Sequence, residues 1–204
     1  MKTKQIKAKT KDREASEERL LIAAEQIFAK HGFKGATTRM IAKKADINIA
    51  LITRYFDGKY GLLLKVIERK AFENTKIPLP YHPQNSITEE CHQYALLRFN
   101  SCIKDLDFFK IAMAQFFTDA KFLKRFQEIL EDAVKFTEFE QRLITLKENK
   151  KLKDNACIET VFDTIETYVF GHIISWNIIH AHTAEESRIA LKNFVQAYCL
   201  HLEV

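Results

Sequence analysis

Arg54 lies in the run ALITRYF, between Thr53 and Tyr55, with Ile52 and Phe56 four residues apart behind it. A guanidinium offers a planar fork of donors that fits the major-groove edge of guanine. Small apolar groups such as Ala50 and Leu51 fit a thymine methyl. Ile49, Ala50, Leu51, Thr53, Arg54 and Tyr55 are therefore the residues that could read base edges, if one element turns them toward a groove. Thr38 and Arg39 lie upstream of this run and Lys59 downstream.

Residues 37–63, TTRMIAKKADINIALITRYFDGKYGLL, supply that element. Thr37 and Thr38 can cap a helix whose apolar positions are Met40, Ile41 and Ala45. Asp46-Ile47-Asn48 brings turn and capping chemistry. A second helix of seven residues turns Ile52 and Phe56 inward and leaves Thr53, Arg54 and Tyr55 to face out. Asp57-Gly58 ends it and Lys59 opens the next. Two short helices across a tight turn, the second presented outward, form the layout of a helix-turn-helix.

This stretch resembles the head of the TetR family of bacterial transcriptional regulators. Arg19-Leu20-Leu21, Ala23, Ala24, Phe28, Gly32, Phe33, Thr37-Thr38-Arg39, Ile41-Ala42, Ala45, Ile47, Tyr55-Phe56, Lys59 and Leu62-Leu63 carry the resemblance, across residues 17 to 64. The chain departs from the pattern at Asp46, where glycine is usual, and at Leu51, where a small or hydroxyl residue is common. It departs again at Thr53, in place of a tyrosine that often touches phosphate. The resemblance implies an all-α protein with a three-helix DNA-binding head and a larger helical body. It also implies a ligand cavity in the body and a homodimer formed by the last two helices. In that frame Thr38 and Arg39 start the first helix of the pair and Lys59 starts the helix after it, where cations and backbone amides hold phosphate, and Ile47, Ile52 and Phe56 hold the second helix in place and do not read bases.

The charge agrees with a head that meets a polyanion. Residues 1–76 hold 18 Lys and Arg against 9 Asp and Glu, and the remainder hold 14 against 18. A basic head on an acidic body is suited to double-stranded DNA, and a Lys-rich arm can follow phosphates. All three prolines, Pro78, Pro80 and Pro83, fall in IPLPYHP, and four of the five glycines lie in the head. Proline inside a helix costs about 3 kcal/mol, so the chain breaks there and residues beyond 86 are free to be helical. The expected organisation is a basic arm at 1–14, the head at 15–62, a connecting helix and Pro-rich linker at 63–84, and a ligand-binding and dimerisation domain at 85–204. The expected helices are 16–31 with Ser16 as its cap, the helix-turn-helix pair, 59–76, 86–104, 107–119, 121–148, 155–182 and 185–202. In the long 121–148 helix, Phe122, Phe126, Ile129, Ala133, Phe136, Leu143 and Leu146 lie near one stripe.

The body is rich in phenylalanine, which can line an apolar cavity at helix junctions as well as fill a core. Candidate liners are Phe99, Cys102, Phe116, His172, Trp176 and His180; the last three follow i, i+4, i+8 spacing and would share one face. Ile165, Val169 and Ile173 on the penultimate helix, with Phe194 and Tyr198 on the last, are the candidate dimer interface. That apolar surface exceeds what one core-facing side normally uses.

Four cysteines at 91, 102, 157 and 199 show neither paired spacing nor finger-like histidines, so neither zinc nor a disulfide framework is expected. No cofactor is implied, and no catalytic triad, phosphate-binding glycine loop or di-iron pair is present, so an enzyme is not expected. No apolar run reaches membrane-spanning length and no apolar segment follows the basic N-terminus, which points to a cytoplasmic chain. The expected function is a ligand-responsive regulator, a repressor released from its operator by a small apolar effector. Two alternatives stay open: an apolar-ligand carrier without DNA binding, and a ligand-free structural DNA-binding protein.

Overall fold

A computed structural model describes residues 2–73, 78–133 and 137–204, with side chains described for 12–70, 78–128 and 137–204. The helices are α1 (Lys2–Gly35), α2 (Thr38–Ala45), α3 (Ala50–Phe56), α4 (Gly58–Glu73), α5 (Ile87–Lys104), α6 (Leu106–Thr118), α7 (Ala120–Ala133), α8 (Glu138–Glu148), α9 (Ile158–His172) and α10 (Ala184–Cys199). A π-helical segment, Ile173–Ile179, continues α9. The chain forms two compact units, residues 1–72 with 107–132, and residues 73–106 with 133–204.

The first unit is built on α1 to α4 with α6 and α7. Leu20, Phe28, Ile41, Ile52, Leu62 and Leu63 are fully buried in its core, joined by Phe108, Ala112 and Phe122 from α6 and α7. Helix α1 is longer than the expected 16–31. Ser16 is not its cap but an interior residue whose hydroxyl donates to the Asp12 carbonyl at 2.8 Å. Such back-bonding lets a serine remain inside a helix. Gly32, at φ 67°, then breaks the helical path before the final turn ends at Gly35.

In the second unit α5 packs against α8, α9 and α10. Tyr94 stacks on Phe139 at 3.9 Å between ring centres. Its hydroxyl donates to Glu166 at 2.7 Å, and Arg98 pairs with the same carboxylate. Arg142 binds Glu138 at 2.7 Å and the fully buried Glu90 at 3.3 Å, and donates to the Tyr81 carbonyl at 2.9 Å. A buried carboxylate is tolerated only when matched in this way.

Two expected helices are corrected. The 121–148 helix is divided: α7 ends at Ala133 and α8 begins after Thr137. Thr137 and Glu140 form a reciprocal capping box, which satisfies the first amides of α8 and fixes a new start. The expected stripe therefore serves two cores, with Phe122 in the first unit and Leu143 and Leu146 in the second. The side chains of Ile129, Ala133 and Phe136 lie outside the described residues, as do residues 74–76 of the helix expected at 59–76. The 155–182 helix is α only to His172, then widens into the π segment.

Candidate nucleic-acid interface

Local chemistry sets α2 and α3. The Thr37 hydroxyl accepts the Met40 amide at 3.2 Å and starts α2. Asp46 ends it at φ 52°. A left-handed residue explains why glycine suits this position, and aspartate is among the few residues that tolerate it. Arg19 closes the corner by donating to the Asp46 carbonyl at 3.1 Å and, at 2.5 Å, to that of Ala45. The Asn48 carboxamide then accepts the Ala50 amide at 2.9 Å and opens α3. Asp57, at φ 58°, ends α3. The α3–α4 corner is so close that a Cβ on Gly61 would collide with the Phe56 carbonyl.

Ile52 and Phe56 are buried, as expected of residues that hold α3 in place. Arg39, Ile49, Ala50, Thr53 and Arg54 are exposed, and Thr38 is half-buried at the start of α2. Leu51 and Tyr55 are half-buried and pack partly on the head core, so their outer edges alone face outward. Two cations stand differently from a simple sequence reading. The Lys59 ammonium donates to the carbonyls of Phe33 at 2.8 Å and Ala36 at 2.9 Å, and lies 4.5 Å over the Phe33 ring. It neutralises the carbonyl end of α1 and ties α4 to it. Arg13, not singled out from sequence, lies 5.1 Å over the Tyr55 ring on α3 while paired with Glu17 at 2.7 Å. Its separation of 42 positions from Tyr55 left no local pattern to reveal the contact.

Comparison with known proteins follows the same segment. Residues 20–66 match the family profile described as bacterial regulatory proteins, tetR family. This segment is thus similar to the regulators of that family. Over 58 residues the chain is 41% identical to a probable HTH-type transcriptional regulator, YttP, of Bacillus subtilis, a match that covers 28% of this chain and 25% of that protein. Over 75 residues it is 36% identical to the HTH-type transcriptional repressor SCO4008 of Streptomyces coelicolor, covering 37% and 38%. The matched part thus spans well under half of these curated relatives. Among solved structures, the fold is similar to a TetR-family regulator from Rhodococcus sp., with TM-score 0.69 at 14% identity over 90% of this chain and 98% of that one. It is also similar to one from Mesorhizobium loti, with TM-score 0.67 at 14% identity over 94% and 98%. The all-α architecture, a helix-turn-helix head with a helical body, is that of these proteins.

The body candidates are scattered. Phe99 is fully buried, edge-on to His172 at 6.5 Å. Cys102 is half-buried, and burial raises its thiol pKa. His172 is buried, its Nε2 finds no partner among the described residues, and its pKa is lowered first by burial and then by His182. Trp176 stacks on His172 at 4.7 Å and lies tilted against His182 at 4.5 Å. His180 does not continue the expected face: the π segment sends its amide to the Ser175 carbonyl at 3.0 Å and leaves its ring exposed. Phe116 belongs to the first unit, packed on Phe126 at 4.6 Å and Phe122 at 5.5 Å. These six residues line neither the groove at Tyr168 and Phe194 nor the groove between α1 and α6.

The candidate interface residues also divide. Ile165, Val169 and Ile173 are 1%, 1% and 0% exposed in the single chain, so they fill its own core and are not a surface for a partner. Phe194 and Tyr198 are half-buried on the outer side, stacked in a column with Tyr168; Phe194 lies 3.4 Å from the Tyr168 ring.

Proposed function

We propose that this chain is a DNA-binding transcriptional regulator that acts as a homodimer, reading a double-stranded operator with α3. The observation that carries this reading is the presentation of α3. Ile52 and Phe56 are anchored in the core, Asp46 and Arg19 fix the preceding corner, and Thr53 and Arg54 are left exposed together. Arg54 is the base reader, suited to guanine; Ala50 and the outer edge of Leu51 meet thymine methyls; Ile49 and Tyr55 flank them. Thr38 and Arg39 hold phosphate at the start of α2. The Lys59 side chain, committed to two carbonyls, serves the interface by fixing α4, with its backbone amide turned to phosphate.

The partner is a second copy, met through α9 and α10. Support comes from the Tyr168–Phe194–Tyr198 column and the exposed Ile189, not from the buried valine and isoleucines. Two heads then meet two half-sites of one duplex. The regulator is a cytoplasmic repressor relieved by a small apolar effector. The buried His172 Nε2, without a partner among the described residues and beside Phe99 and Trp176, is its polar anchor in the body. An effector acts only if it binds the DNA-competent and DNA-incompetent forms unequally.

Selection from random duplexes with the purified full chain tests the reading. The expected result is a two-fold symmetric sequence whose affinity falls steeply with salt. Binding of scrambled and selected duplexes alike would support the structural DNA-binding alternative, and no binding at low salt would support the carrier.

A further inference from the structure

We infer a binding site for a small amphipathic organic acid in the head unit, in the groove between the kinked end of α1 and α6. It deepens the regulatory reading by naming a second effector site, and rests on that reading only for its effect on DNA.

The groove has a volume of about 650 Å³, within the size range of small-molecule sites. It exists because Gly32, at φ 67°, turns the chain out of the α1 path, leaving Phe33 and Lys34 to face Lys110, Ile111 and Ala114 of α6. A Cβ added at Gly32 would meet nothing within 4 Å, so the kink is not packed shut. Phe33 and Ile111 form an apolar floor, both half-buried and backed by the head core.

The rim decides the sign of the occupant. Lys34 and Lys110 stand on its two sides, with His31 beside them, all exposed. Among the described residues Lys110 meets the exposed Asp107, in a 3.5 Å contact. Asp119, the acid of the lining, keeps its charge, but its carboxylate accepts the amides of Lys121 at 3.0 Å and Phe122 at 3.1 Å, so the positive start of α7 offsets it and the two lysines set the sign of the rim. An apolar floor under a cationic rim fits a carboxylate on a compact hydrocarbon body, and disfavours the corresponding ammonium.

The position gives the site a consequence. Phe33 is the residue whose carbonyl and ring hold the Lys59 ammonium, and Ala36, the second anchor of that ammonium, precedes the Thr37 cap of α2. An occupant resting on Phe33 therefore bears on the contact that fixes α4 and on the entry to the helix-turn-helix.

Calorimetric titration of the full chain with 2-naphthoate, 2-naphthylmethanol and 2-naphthylmethylamine tests this. Naphthoate is expected to bind, and the amine to bind about tenfold more weakly or not at all. Ala114→Phe, at an exposed position, should fill the groove and lower naphthoate affinity by about tenfold or more without changing Tm. Lys34→Glu with Lys110→Glu should do the same while leaving the groove open, and decides the matter if the phenylalanine variant folds poorly. Amide shifts induced by naphthoate should centre on Gly32–Lys34 and Lys110–Thr118. No binding at millimolar naphthoate, no preference over the amine, or binding indifferent to both variants would overturn the site. Titration of a selected duplex with and without naphthoate then separates the two claims. Loss of duplex binding in the absence of naphthoate sinks the regulator; a response retained in Ala114→Phe sinks the groove.

Discussion

The α2–α3 corner and the α9–α10 region put their apolar residues to different uses. In the corner, each buried side chain has a single task and each turn has a named cap, so the exposed residues can be listed by elimination. Along α9 the apolar residues wrap most of the helix, and the same pattern suits a core, a partner or a ligand. Physical identity is therefore sharp where caps and left-handed residues punctuate the chain, and blurred where one long amphipathic stripe runs on. A stripe tells which residues share a face and says nothing of what covers that face.

The strongest way to break this comparison is to charge the two sides of the stripe. Ile173→Asp places an unpaired carboxylate in a fully buried site and should destabilise the body by about 3–5 kcal/mol. The variant should lose cooperative unfolding by circular dichroism. Phe194→Asp, on the outer side, should instead give a folded monomer by sedimentation. If both variants fold and remain dimeric, the division between core and interface is wrong. In the corner, Gly61→Ala forces α4 away from the Phe56 carbonyl, and should cost about 1–3 kcal/mol of stability and disrupt duplex binding. An unchanged Tm would mean that the corner is looser than described.

Smaller effects separate the cations. Arg54→Ala should reduce discrimination between selected and scrambled duplexes by about 1–3 kcal/mol, as loss of a bidentate base contact does. Equal weakening on both duplexes would make Arg54 a phosphate contact. Lys59→Ala should lower stability by about 1 kcal/mol, because two carbonyls lose their donor, and leave the salt slope of duplex binding unchanged. A slope smaller by about one ion, with stability intact, would place the ammonium on phosphate after all. The smallest effect concerns His172, whose pKa is lowered from 6.5 by burial and by His182. In that window the unfolded chain binds the extra proton, so its contribution to stability is full above about 6.5 and is lost as pH falls toward the depressed value. The fall in Tm between pH 7.5 and 5.5 should be smaller in His172→Gln than in the parent chain; an equal fall would assign the pH response to other groups.

Much of the head was legible because its signals are local. Thr37, Asp46, Asn48 and Asp57 act within a few residues of themselves, and the seven residues of α3 fall where the spacing puts them. In the body, α5 at 87–104 and α10 at 184–199 begin within a residue of expectation, each behind a hydroxyl cap, Ser86 or Thr183. The break at Thr137 was readable too, since Thr-x-x-Glu is a capping box, but the stripe running across it carried more weight. Other features had no local signature. The π segment depends on how α9 meets its neighbours, and it moved His180 off the expected face. The burial of Ile165, Val169 and Ile173 depends on α5 and α10, which no periodicity within α9 reveals. Whether the Lys59 ammonium faced DNA or a carbonyl depended on the kink at Gly32.

The core shared by α1 to α4 with Phe108, Ala112 and Phe122 bears on how this molecule could be taken apart. A fragment ending after α4 would carry every residue expected to touch the duplex. It would also lack three of the side chains that close the head's interior, and would open that interior to water. The reading head is therefore not a cassette that can be excised at the proline-rich stretch and fused elsewhere. Its minimum portable form includes residues from beyond that stretch, so grafting this specificity onto another scaffold means transplanting α6 and α7 together with the helices that face the DNA.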